Sequence, residues 1–373
     1  MIKIDFNDLE VAPRDWSDIF EYKEDLASLE SKIKKIAPEP VNVISVGNGG
    51  SITSFDAFSY ALNPKTQVAS VWTMDPQYLL KTKEKFSKEN TVVVAVSKSG
   101  TTLGQIEALM YFKDYKVICV TNPEKGSLQE IARKMNWEII EHPPVGGRFS
   151  GGTSSTFVPA MLSGIDCKKI QDGMAQGYQN KNLAYTLSKY YFDLEQQGYN
   201  EVYVTCYSEA LSSFENLIVQ LMHESVCKNS KGQTFYFSMG PEAQHHTNQR
   251  FIGGKRNVIG TFILSESANN EKIEIPKDLW SIDYKGKRLE DLNQIPYKKA
   301  LEAEYLGTKG DADEKSIPNV TIKIDKICEQ SVGELVSFWH LVAFYSSLLR
   351  DVNPFDQPAV ERSKDITLDI LLK

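Results

Sequence analysis

The pattern that most restricts this chain begins near residue 42, where short β-branched runs alternate with helix-length amphipathic segments. Val43-Ile44-Ser45-Val46, Val68-Ala69-Ser70-Val71-Trp72, Val92-Val93-Val94-Ala95-Val96 and Val117-Ile118-Cys119-Val120 are apolar through most consecutive positions. Runs of this kind read as strands covered on both faces, as in a parallel sheet. Segments near 52–62, 76–89, 102–113 and 126–135 have the length of the crossover helices that parallel strands require. The alternation predicts a doubly wound α/β unit.

It then repeats in outline. After a Gly-rich passage at Gly146–Gly152 and two or three helices ending near 197, a strand is expected at Val202-Tyr203-Val204-Thr205. A long helix at 208–226, strands near 257–264 and 319–324, and a helix near 291–306 should follow, with the polar stretch Gly307–Ser316 as a loop. The expected architecture is therefore two tandem α/β units, 42–197 and 198–350. A mostly helical lead-in over 1–41 precedes them, and a C-terminal helix within 351–373 follows. A length of 373 residues accommodates two such units.

Charge and cysteine usage narrow the function. Lys plus Arg total 42 against 49 Asp plus Glu, a net charge of −7, which argues against broad binding of nucleic acid or an anionic membrane. An anionic ligand must then meet a local site. The five cysteines form no CxxC pair and read as reduced thiols, and Met1–Phe6 lacks the apolar run of a signal peptide. A cytoplasmic location is expected, in which the glycosylation pattern Asn319-Val320-Thr321 is inert. Leu335–Leu349 contains His340 and follows Glu334, so it reads as too short and too polar to span a bilayer.

Two hydroxyl-bearing loops follow predicted strands. Gly47-Asn48-Gly49-Gly50-Ser51 lets the backbone approach a ligand closely and opens a helix whose free N–H groups favour phosphate. A dinucleotide fingerprint would need glycine at position 52, which is Ile52, although Asp75 could imitate the ribose-binding acid. The plainer alternative is a tight turn with no ligand. Ser97-Lys98-Ser99-Gly100-Thr101-Thr102 offers four hydroxyls and an ammonium, more than helix capping requires. Gly50, Ser51, Ser97, Lys98, Ser99 and Thr102 are the candidate phosphate contacts.

Four further segments carry charged groups. Arg148, in Gly146-Gly147-Arg148-Phe149-Ser150, is a permanent cation able to stabilise a developing oxyanion, or else a surface salt-bridge partner. On the helix at 208–226, Leu211, Phe214, Leu217, Ile218, Leu221 and Met222 mark a buried stripe. Gln220 and Glu224 border it, where partial desolvation suits a carboxylate to general-base work or to a structural ion pair. His223 projects away and reads as a surface histidine. Gln244-His245-His246 lacks metal-ligand spacing. Gln357 and Lys364, seven residues apart, could face one pocket if both are helical, whereas Lys364 could simply pair with Glu361.

The two phosphate-type loops resemble the sugar isomerase domain, a flavodoxin-like three-layer α-β-α module with a mostly parallel sheet. Gly147-Arg148-Phe149-Ser150, Gln220-x-x-x-Glu224-Ser225 with Lys228 beyond, Gln244-His245 and Val352–Lys364 resemble the motifs of the phosphoglucose isomerase family. Cys227 stands where that family usually has a glycine, and the segment Arg250–Lys255 departs from its longer members. The resemblance implies two tandem sugar isomerase domains and aldose–ketose isomerisation of a hexose phosphate through an enediolate. It implies Glu224 as the proton carrier between carbons 1 and 2, Arg148 beside them, and His245 and Lys364 in ring opening. Gln220 and Gln357 would orient sugar hydroxyls. It further implies a homodimer in which the histidine serves the neighbouring subunit's site, and no metal or organic cofactor. A bifunctional phosphoglucose/phosphomannose isomerase and a non-catalytic phosphosugar-sensing regulator are the alternatives. A sensor has no use for Glu224, His245 and Lys364 together.

Overall fold

The structure, a computed structural model, describes residues 1–5 and 22–373. In chain order its strands are β1 (Ile2–Asp5), β2 (Asn42–Val46), β3 (Val68–Val71), β4 (Thr91–Ser97), β5 (Lys116–Thr121), β6 (Glu138–Glu141), β7 (Glu201–Cys206), β8 (Thr234–Met239), β9 (Val258–Ser265), β10 (Asp283–Tyr284), β11 (Lys287–Arg288) and β12 (Asn319–Ile324). The helices are α1 (Leu26–Ile36), α2 (Thr53–Leu62), α3 (Pro76–Lys85), α4 (Leu103–Tyr111), α5 (Ser127–Lys134), α6 (Ser154–Leu162), α7 (Cys167–Gly177), α8 (Lys181–Gln196), α9 (Phe214–Val226), α10 (Thr247–Gly253), α11 (Tyr297–Glu314), α12 (Glu329–Leu349) and α13 (Glu361–Leu371).

The first sheet is all parallel, in the order β3-β2-β4-β5-β6. The second runs β1-β12-β9-β7-β8, parallel except for β1, which adds antiparallel at the edge. In both, the first strand of the unit has its second on one side and its third on the other. That reversal opens a crevice at the carboxyl ends of the strands.

Alternate residues of the first sheet enter different cores. Ile44, Val93 and Cys119 pack with Leu109 and Phe112 of α4 and the residues after it. Val43, Val94 and Ile118 join a larger core shared with the second sheet, together with Phe55, Phe157, Leu217 and Trp339. The two halves are therefore welded through one apolar interior. A third cluster, around Tyr203, Phe251, Phe262 and Tyr305, covers the other face of the second sheet. α12 lies against α7 and α8, where Gly173 and Gly333 permit close approach. A Cβ on Gly173 would lie 2.0 Å from the Gln330 carbonyl oxygen, and one on Gly333 2.4 Å from that of Ile170.

Several expectations need correction. Residues 2–5 form a strand rather than part of a helical lead-in; α1 covers the described helical portion, and 6–21 lie outside the described residues. The aromatic run Phe235-Tyr236-Phe237 is a strand, β8, that the alternation did not mark. The polar stretch 307–314 continues α11, held by the i,i+4 ion pairs Lys309–Asp313 at 2.6 Å and Lys315–Asp311. α12 is 21 residues long and apolar enough by length and composition to cross a membrane, contrary to the reading of 335–349 as too short. It is a core helix, with 89% of its apolar window buried inside the protein. Asn319 is buried in β12.

Candidate functional site

The first crevice is assembled at the ends of β2 and β4. Gln105, buried on α4, donates from Nε2 to the carbonyls of Val46 at 3.0 Å and Val96 at 2.6 Å, tying together the roots of both hydroxyl loops. Ser97 Oγ accepts from Gly100 N at 3.1 Å and lies 3.4 Å from Thr102 Oγ1. Ser99 Oγ accepts from Thr101 N and from Thr101 Oγ1. Thr102 is the N-cap of α4, yet its hydroxyl makes no capping bond, which leaves that donor and the first-turn N–H groups for a ligand. Lys98 lies at the surface beside them, and desolvation lowers its ammonium pKa. Asp75 instead caps α3, accepting from Tyr78 N at 2.9 Å, with Pro76 following it. That occupation removes the resemblance to a ribose-binding acid.

Gly50 joins this crevice to the next motif. It packs directly against Gly147 and Arg148, where an added Cβ would lie 2.3 Å from the backbone nitrogen of Arg148. No side chain fits there. Ser51 follows in the same turn, Gly49–Ser51, half-buried. The contact seats the short turn Gly147–Phe149 and aims Arg148 toward α9.

Arg148 is 5% exposed and all five of its N–H groups are engaged. Nε donates to Ser225 Oγ at 3.0 Å, and Nη1 donates to Glu224 Oε2 and to Gln357 Oε1, both at 2.9 Å. Nη2 donates to the carbonyls of Pro354 at 2.7 Å and Asp356 at 2.8 Å. Burial draws its pKa down from the ordinary 12.5, and the Glu224 carboxylate opposes that shift. Glu224 is 30% exposed, so its free face remains open to solvent or substrate.

Glu224 owes its position to α9, whose residues Leu217, Ile218, Leu221 and Met222 are buried in the shared core. Gln220, one turn earlier, accepts from Thr53 Oγ1 at 3.1 Å and lies beside Gly49. It thereby ties α9 to the helix that opens from the first loop. α9 ends without strain at Cys227, whose φ of −78° needs no glycine; the left-handed residues come later, at Asn229 and Ser230. His223 is not a surface residue: it is half-buried, and its Nε2 accepts from Phe235 N at 2.9 Å, joining α9 to β8.

The segment after α12 folds back over Arg148. Lys228 Nζ donates to the carbonyls of Ser225, at 3.1 Å, and Asn353, and stands 3.0 Å from Asp356 Oδ1. Sequence reasoning passed over Thr53, Gln105, Ser225 and Asp356. Thr53 and Gln105 carry no motif signal, whereas Ser225 and Asp356 sit next to residues that do.

The other two acid–base candidates stand apart in the single chain. His245 ends a short turn after β8 with its side chain exposed, and no hydrogen bond among the described residues joins it to the Arg148 cluster. Lys364 lies on α13, 60% exposed, and pairs with Glu361 Oε1 at 2.8 Å. The seven-residue spacing from Gln357 does not place both on one helix face. Gln357 is outside the helix at φ −152°, and a short turn at Pro358–Val360 intervenes before α13 begins. Among the described residues no group of three or more His, Cys, Asp or Glu is placed to hold a metal ion.

Paired parallel sheets with this strand order, and a carboxylate–guanidinium pair beside a hydroxyl-lined loop, define a protein of the sugar isomerase fold. A hypothetical protein from Thermus thermophilus shares the fold at TM-score 0.82 and 24% identity, covering 94% of this chain and 88% of that one. A glucose-6-phosphate isomerase from Chlamydia trachomatis does so at TM-score 0.74 and 18% identity, covering 92% and 72%. A glucose-6-phosphate isomerase from Methanocaldococcus jannaschii is 30% identical over 349 residues, covering 87% of this chain and 83% of that protein. No family model matches the chain. The chain belongs to the glucose-6-phosphate isomerase family.

Proposed function

We propose that the protein interconverts glucose 6-phosphate and fructose 6-phosphate. The carrying observation is the 2.9 Å pair of Glu224 and Arg148 at the junction of the two halves, beside the hydroxyl-rich loops of the first. Ser51, Ser97, Ser99 and Thr102, with Lys98 and nearby backbone N–H groups, hold the phosphate. The carboxylate of Glu224 takes the weakly acidic proton from carbon 2 of the open-chain aldose and returns it to carbon 1. Arg148, unable to give up its charge, stabilises the negative charge that builds on the enediolate oxygens. Gln220 and Gln357 orient hydroxyls. Before that step, His245 and Lys364 exchange protons at the ring oxygen and the carbon-1 hydroxyl.

The separation of those two residues from Glu224 in one chain fits a homodimer in which a second subunit brings His245 to the site. α13 moves toward the crevice to deliver Lys364. A coupled assay with glucose 6-phosphate and mannose 6-phosphate, each with and without chelator, tests the reading. Turnover of the glucose ester that survives chelation supports it. Turnover of both esters supports a bifunctional isomerase, and binding without turnover supports a sensor.

A further inference from the structure

We infer that Lys228 and Asp356 form a positioning pair for isomerisation, which extends the proposed isomerase reading. Arg148 and Gln357 come from segments 209 residues apart, and Gln357 belongs to no regular element. Something must therefore fix the chain between α12 and α13 against α9. Two cations do so. Arg148 takes the carbonyls of Pro354 and Asp356, and Lys228 takes the carbonyl of Asn353 and the carboxylate of Asp356.

The two clamps differ in chemistry. Arg148 is itself the charge stabiliser, so it cannot hold the segment independently of the reaction. Lys228 has 11% of its side chain exposed, bonds the Ser225 carbonyl on the helix that carries Glu224, and makes no bond to Glu224, Gln357 or Arg148. Its position makes it a strut between the proton-carrying helix and the residue just before Gln357. Asp356 contributes from both ends: its carboxylate meets Lys228, and its carbonyl meets Arg148 Nη2. Its carboxyl is held below the ordinary carboxylate range by Lys228, consistent with a persistent pair.

Loosening the strut displaces Gln357 and retunes Arg148 while leaving the phosphate loops of the first half untouched. The effect should fall on turnover rather than on substrate capture. Lys228→Met and Asp356→Asn are each expected to lower kcat about 10- to 100-fold for glucose 6-phosphate, the scale of an ångström-sized misplacement. KM should stay within about twofold. The double variant should lose no more than the worse single variant, because both changes remove one contact. Lys228→Arg, which keeps charge and reach, should recover most of the loss.

Asp356 is 52% exposed, so its variant remains a fair test if Lys228→Met folds poorly. Parent-like kcat in Asp356→Asn, losses that multiply in the double variant, or a rise in KM that accounts for the whole effect would each overturn the inference. An inactive parent enzyme would instead overturn the isomerase reading, so the two failures are distinguishable.

Discussion

Glu224 Oε2 stands 2.9 Å from Arg148 Nη1, so the carboxylate that carries the proton and the cation that holds the resulting charge are already ion-paired within one chain. Such a pair, one partner almost wholly buried and the other open on one face, suits a reaction in which negative charge moves from carboxylate to substrate. It also makes the two side chains separable by mutation.

Glu224→Gln keeps an oxygen for Arg148 and removes the base. Isomerase activity should fall by about 10²- to 10⁴-fold. Titration calorimetry with a non-isomerisable hexitol 6-phosphate should show affinity close to that of the parent. An active variant would reject the base assignment.

Glu224→Gln and His245→Ala should each be inactive alone and complement each other when mixed. If the histidine acts in the neighbouring site, every mixed dimer contains one intact site. Random exchange then restores about a quarter of the parent activity. Mixtures that stay inactive after verified subunit exchange would place His245 outside the shared site.

Gly50→Ala puts a methyl group 2.3 Å from the backbone nitrogen of Arg148. The turn must move, at about 1–3 kcal/mol of stability. Calorimetric unfolding should show a lower midpoint, and kcat should fall even where the fold survives. A variant with parent-like melting and turnover would show that the turn is not closely seated.

Stability between about pH 4 and 6 should be held nearly level by two buried groups acting in opposition. Burial raises the Asp56 carboxyl from 3.8 to about 6, against the lowering effect of the Ser70 hydroxyl. The folded chain therefore holds that proton more tightly than the unfolded chain, and stability declines as pH rises through this window. Burial lowers His340 from 6.5 to about 3, so the unfolded chain binds the proton more readily and stability climbs as pH rises. Asp56→Asn removes the first slope and leaves the second, up to about 1.4 kcal/mol per pH unit. Urea midpoints measured at pH 4, 5 and 6 should steepen in the variant. A profile parallel to the parent's would contradict this account.

The parallel strands of the first half were readable because each is buried on both faces and so carries an uninterrupted apolar run. β8, at the edge of the second sheet, is only partly buried and alternates aromatic with polar groups, which weakens that signal. α11 was cut short because Gly307 and Gly310 resemble a loop, while its ion pairs lie four residues apart and become visible only once a helix is assumed. In the site, Arg148, Gln220, Glu224 and Gln357 were identifiable from motif spacing. What brings them together was not: Gly50 against Arg148, Thr53 on Gln220 and Lys228 on Asp356 are contacts between distant segments, and no local periodicity records them. The helical spacing from Gln357 to Lys364 failed because Pro358 opens a separate turn between them.

The saturated guanidinium of Arg148 has a kinetic corollary. An enediolate oxygen approaching Nη1 meets no bare hydrogen; it must trade places with Gln357 Oε1, and the glutamine reclaims its berth when product departs. Catalysis at this cation is thus an exchange between rival acceptors, with desolvation of the arginine settled when the chain folds rather than at each turnover.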